Sequence, residues 1–135
     1  MPLRLRGRKR PGSETGTLFV IQRDPAREDH YALRLEIDGV LVSWAISSGP
    51  STNPRDRRMA RRTEDQRLDG AVGVADWDRG TYINGTQREM RDGLARGHLS
   101  FWLHGEKLSG GFTLTRIREG NDETWLLMKR DDGQP

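Results

Sequence analysis

The run 30-HYALRLEIDGVLVSWAI-46 leaves little choice of local structure. On a strand, successive side chains point to opposite faces. Tyr31, Leu33, Leu35 and Ile37 therefore share one face, and His30, Ala32, Arg34 and Glu36 share the other. Asp38-Gly39 interrupts the alternation just before a second apolar run, and glycine accepts the positive φ that a tight primed turn demands. The stretch is expected to be a β-hairpin with an apolar inner face and a polar outer row.

Similar runs recur along the chain with turn signals between them: 17-TLFVIQ, 40-VLVSWAI, 58-RMARRTE, 73-GVADWD, 98-HLSFWLHG, 111-GFTLTRI and 124-TWLLMKR. Only 86-TQREMRDGLARG-97 reads as a helix. Thr86 and Glu89 have capping-box spacing, Met90 and Leu94 share a face, and Gly97 closes the segment, while Gly93 weakens it. The fold expected is mainly β: a small antiparallel barrel or sandwich of about eight strands with one short surface helix. A chain of 135 residues suffices for one domain with its own core. Residues 1–16, basic and containing Gly, Pro and Ser, are read as a mobile arm, and residues 17–135 as the domain. The tryptophans at 44, 77, 102 and 125 lie among aliphatic neighbours, which makes them core or rim before they are stacking platforms.

The chain has no cysteine, which rules out disulfides, thiolate catalysis and zinc sites built on sulfur, and makes the cytoplasm the simplest compartment. No apolar run has the length of a membrane span, and the basic start has no apolar stretch behind it, so neither a membrane partner nor a secretory signal is expected. The net charge is only +3, but the basic residues are 20 arginines against 3 lysines. Arg4, Arg6, Arg8, Lys9 and Arg10 form an acid-free tail, and Arg55, Arg57, Arg58, Arg61, Arg62 and Arg67 form a second cluster. Both suit phosphate contacts. They equally suit solvated faces in a protein that uses arginine in place of lysine throughout.

The polar row of the hairpin faces either water or a polar groove. Asp24, six residues before His30, can bring an oxygen donor toward the imidazole, and the two would suit manganese or a similar divalent cation. Two ligands make a thin site, and the competing reading of Asp24 is an Asp-Pro turn residue. Arg58, entering a strand after Asn53-Pro54, has the geometry to grip a phosphate with its fork. His98 and His104 have no acidic partner at ligand spacing and are read as structural, and Glu106-Lys107 as a surface pair. No nucleophile arrangement, Gly-rich phosphate loop or paired-carboxylate signature is present. Any catalysis would be metal-assisted attack of water on a phosphoester.

The phrases HY-x-LRLE-x-DGVL-x-SWA, GPS, 77-WDRGTY and LHGEKL-x-GG, in this order, make the chain resemble the 3'-phosphoesterase domain of bacterial DNA ligase D over nearly everything after the basic arm. The resemblance implies a β-barrel with a flanking helix, and a manganese-dependent trimming of 3'-terminal ribonucleotides or 3'-phosphates before end joining. It implies a metal held by two histidines and an aspartate in a pattern like H-x-A-x-x-x-H-Y-D-x-R. Here Asp24 stands at the first histidine, His30 is the second, Ala32 replaces the aspartate, and Arg34 is the phosphate-binding arginine. Further along, Gln66 replaces a histidine, Gly70 a tyrosine and Ser48 a lysine, Arg58 is kept, and a glycine-rich stretch before Trp77 is missing. Losing a carboxylate and several groups that would stabilise a transferring phosphate should abolish turnover.

The expectation is thus a catalytically degenerate member. Its remnant site is His30 and Arg34, its phosphate grip Arg34 and Arg58, its partners DNA 3' ends in the bacterial cytoplasm, at the nucleoid if it binds DNA. One alternative keeps an active manganese phosphoesterase with a rearranged Asp24, His30 and Glu36 site. The other is a protein-binding module that recruits an end-joining ligase or end-binding protein.

Overall fold

The computed structural model describes residues 17–24, 26, 27, 29–68 and 76–130. The basic arm and the shortened stretch after Gly70 fall outside them. Among the described residues, eight strands and one helix follow in chain order: β1 (Thr17–Arg23), β2 (His30–Ile37), β3 (Val40–Ser47), β4 (Arg58–Arg67), β5 (Asp76–Asn84), α1 (Met90–Arg96), β6 (His98–Gly105), β7 (Ser109–Arg118) and β8 (Thr124–Lys129). Each pairs antiparallel with its neighbours in one closed barrel, ordered β1-β2-β3-β4-β8-β7-β6-β5. Two four-strand meanders meet edge to edge, along β4–β8 and along β1–β5. Closure leaves no sheet edge open to pair with another chain along these seams.

Alternation decides what goes inside. Leu33, Leu35 and Ile37 of β2 are buried with Phe19 and Ile21 of β1, Val42, Trp44 and Ile46 of β3, and Phe101, Phe112 and Trp125 from the other meander. Trp44 and Trp125 meet edge to face, with centroids 5.6 Å apart. The β2–β3 turn is as the sequence requires: Asp38 has φ 53° and Gly39 φ 84°.

The 86–97 segment departs from its capping-box reading. The helix spans only Met90–Arg96, and Glu89 caps it through the backbone alone. Thr86 instead bonds β6: its hydroxyl donates to Ser100 O (3.1 Å) and accepts from Ser100 N (2.9 Å). Gly93 marks close packing, since a Cβ there would sit 2.6 Å from His98 O. Gly97 ends the helix at φ 91° as expected.

Asp78 explains two of the distinctive phrases. Buried at the barrel rim, its Oδ1 accepts the N–H of Arg79 (2.8 Å), Glu106 (2.8 Å) and Lys107 (3.1 Å), and its Oδ2 that of Leu108 (2.8 Å). The Gly105–Leu108 turn is folded around this carboxylate, and any side chain at Gly105 would strike it and Phe19. Lys107 lies over Trp77, 4.6 Å from the ring centroid, so its packing partner is an aromatic face.

Candidate phosphate-binding face

The outer face of β1, β2 and β3 carries Arg34 in a fixed cradle. The hairpin register places Arg34 opposite Ser43 and, on the other side, Val20. Its Nε donates to Gln22 Oε1 (2.9 Å) and its Nη1 to Ser43 Oγ (2.7 Å). Ser43 Oγ in turn donates to Leu41 O, and Gln22 Nε2 donates to Asp76 Oδ1 (3.2 Å). Burial lowers the Arg34 pKa from its ordinary value, and attraction to Asp76 opposes this only in part. Nη2 has no hydrogen-bond partner among the described residues. A half-buried guanidinium held on two edges, with a third open, is prepared to receive an anion.

Next to Arg34 the face is shallow. Gln22, Ala32, Ala45 and Arg61 stand side by side across β1 to β4, so two methyl groups separate a held amide from an exposed guanidinium that has no partner among the described residues. Arg58, three residues from Arg61, has the opposite orientation: it shares the inward parity of buried Ala60 and sits at the rim, donating to Gly49 O (3.2 Å) with Asp56 3.6 Å away. Of the second arginine cluster, Arg62 is drawn inward onto Trp44 and pairs with Asp65 and Glu123. The cluster is therefore several separate environments.

His30 and Asp24 face each other at the base of the β1–β2 loop, where Asp24 N donates to His30 O (2.9 Å). Each side chain has a polar partner of its own. Asp24 Oδ1 accepts the N–H of Ala26 (2.9 Å), the turn role that competed with ligation, and His30 Nδ1 lies 3.2 Å from Asp29 Oδ1. Glu36 is six residues along the strand from His30, about 20 Å at strand rise. There it accepts the N–H of Leu18 (3.0 Å), so the rearranged site with Glu36 as a ligand is ruled out by distance. Ala32 contributes no donor, and among the described residues no three His, Asp or Glu side chains cluster as metal ligands. The residues present do not fit a three-ligand manganese site.

The alternation alone missed Gln22, Ser43, Asp76 and Asp29. Ser43 was within reach of it: counting back from the Asp38-Gly39 turn pairs position 34 with position 43.

The family profile described as the DNA ligase D 3'-phosphoesterase domain matches residues 22–116. The chain is 41% identical over 143 residues to the multifunctional non-homologous end joining protein LigD of Pseudomonas aeruginosa, covering 95% of this chain and 17% of that protein. It is 36% identical to the LigD repair protein of Mycobacterium tuberculosis over 87% of this chain and 16% of that one. With LigD of Mycolicibacterium smegmatis it shares 34% identity, over 90% and 18%. The chain thus spans about one sixth of the length of the relatives it matches.

Proposed function

Because this chain belongs to the DNA ligase D 3'-phosphoesterase domain family, we propose that it is a degenerate member that holds the 3' end of a DNA strand without processing it. The observation that carries this reading is the contrast on one face: the Arg34 cradle is complete, while the neighbouring donor set lacks a carboxylate at Ala32 and has Asp24 committed to a turn. Arg34 supplies the fork for a terminal phosphate, and Gln22 and Ser43 hold that fork in place. Arg61 adds a second cation on the same face, and Arg58 one at the rim. Without a third metal ligand among the described residues, none of them on this face is placed to activate water.

The test is a primer-template carrying a 3'-phosphate or a 3'-ribonucleotide, titrated in the presence of manganese while binding and end trimming are followed together. Binding without trimming, weakened by Arg34→Ala more than by Arg58→Ala, is the expected result. Trimming that scales with protein and is lost in His30→Ala would replace this reading with an active phosphoesterase. Absence of salt-dependent DNA binding by the unmodified chain would favour a protein-recruiting module.

A further inference from the structure

On the far side of the barrel lies a cleft of about 690 Å³ between the Gly85–Arg88 turn, the end of α1 and the outer face of β6 and β7. Its walls carry Arg88, Arg96, Arg130 and His98, with Ser100 and Thr113, and no carboxylate among the described residues. A shallower hollow of about 390 Å³ shares Arg88 and Arg96 and adds Asp92 at its edge. The three arginines are not equivalent. Arg130 is fixed, donating to Ser100 Oγ (2.7 Å) with its guanidinium 5.2 Å from the Trp102 ring centroid. Arg88 and Arg96 have side chains with no protein partner among the described residues. Two nearby arginines are engaged: Arg91 with Asp38 and Glu89, and Arg116 with the carbonyls of Leu94 and Ala95.

The backbone that presents Arg88 is held rigidly. Gly85 N donates to Ser100 O (2.8 Å), Thr86 exchanges two hydrogen bonds with Ser100, and Asn84 Nδ2 donates to Arg88 O (2.9 Å). A concave, donor-lined surface that, among the described residues, has no acid in its wall, two guanidiniums without a partner and a third locked in place has the chemistry of a site for phosphodiesters.

We infer that this cleft is a second phosphate-binding site, which grips the sugar-phosphate backbone of a nucleic-acid strand away from its 3' end. β7 is four places from β2 around the eight-strand ring. The cleft and the Arg34 face therefore cannot touch the same phosphate, and their contributions are separable. The choice of nucleic acid as the polyanion rests on the proposed DNA-end reading; the cleft itself does not.

The experiment is fluorescence anisotropy of a labelled single strand ending in a 3'-hydroxyl, titrated with the full chain over a salt series. Arg88→Ala/Arg96→Ala should weaken binding roughly tenfold and reduce the slope of log affinity against log salt by about 1.4, the loss expected for two single-strand phosphate contacts. Arg88→Lys/Arg96→Lys should restore most of the slope. Arg34→Ala should leave this strand nearly unaffected and act on the 3'-phosphorylated one. Unchanged affinity and slope in the double alanine variant, with an unchanged melting curve, would overturn the inference even if Arg34→Ala weakens end binding. The converse pattern would overturn the end-binding reading and keep the cleft.

Discussion

Asp78 and Arg34 are charged side chains on strands of the same barrel, both withdrawn from water, and they are satisfied in opposite ways. Asp78 is 3% exposed and accepts four backbone N–H groups, so nothing is left for a ligand. Arg34 is held by Gln22 and Ser43 on two edges and has no partner on the third among the described residues. A charge whose hydrogen-bonding capacity is filled by its own chain stabilises the fold. One that is positioned but only partly filled keeps its remaining capacity for something else. The phrases that carry the family resemblance include those that build the Asp78 turn, and Ala32 lies two residues from Arg34 on the same face of its strand.

The contrast is broken most forcefully at Asp78. Asp78→Ala leaves four buried or half-buried amides without an acceptor, and the unfolding free energy should fall by about 3–5 kcal/mol, a large share of what a domain of this size has. Urea unfolding measures it. Under conditions where the variant is folded, its DNA affinity should match the unmodified chain. A loss below 1 kcal/mol would show that the turn holds without its carboxylate.

Tyr82 sharpens the same point through pH. Its hydroxyl donates to Glu36 O (2.6 Å) inside the barrel, and burial, with smaller contributions from Glu36 and Asp38, pushes the phenol up to about 12. The folded state thus protects the neutral form. That stability is complete below pH 10, the ordinary phenol value, and is lost as pH rises through about 12. The effect is about 2–3 kcal/mol across this window. Tyr82→Phe loses the hydrogen bond, about 1 kcal/mol at neutral pH, and should show a flatter stability profile between pH 10 and 12. Parallel profiles for the two proteins would mean that Tyr82 does not titrate against folding.

The residues that were legible from sequence are those whose partners are close in sequence or fixed by a period. Leu33, Leu35 and Ile37 follow from alternation, and Asp38-Gly39 from its turn chemistry. Thr86 misled because Thr-x-x-Glu is a valid capping box in isolation, whereas its partner Ser100 lies 14 residues on and wins through two hydrogen bonds. Gly93 looked like a flaw in a helix because the approach of His98 O is tertiary. Asp78 draws three of its four donors from 28 to 30 residues away, and no local pattern announces them. Gln22 escaped for a related reason: it reaches Arg34 across a loop whose length gives no register. Any role for position 32 could be read only from the family resemblance, since an alanine on the outer face of a strand is unremarkable alone.

Arg34→Lys is the finest test of the comparison, because it keeps the charge and removes the shape. Lysine cannot donate to Gln22 and Ser43 as a fixed fork while presenting a third edge, so preorganisation is lost although attraction remains. Affinity for a 3'-phosphorylated strand should fall about tenfold, equivalent to about 1.4 kcal/mol. The unfolding free energy should change by less, since the lysine ammonium can still donate to one member of the half-buried cradle. Affinity for the 3'-hydroxyl strand should stay within about twofold, because that strand is held elsewhere. If the lysine variant binds the phosphorylated end as well as the unmodified chain does, charge alone accounts for the grip. The hydrogen bonds to Gln22 and Ser43 would then belong with those of Asp78, as parts of the fold.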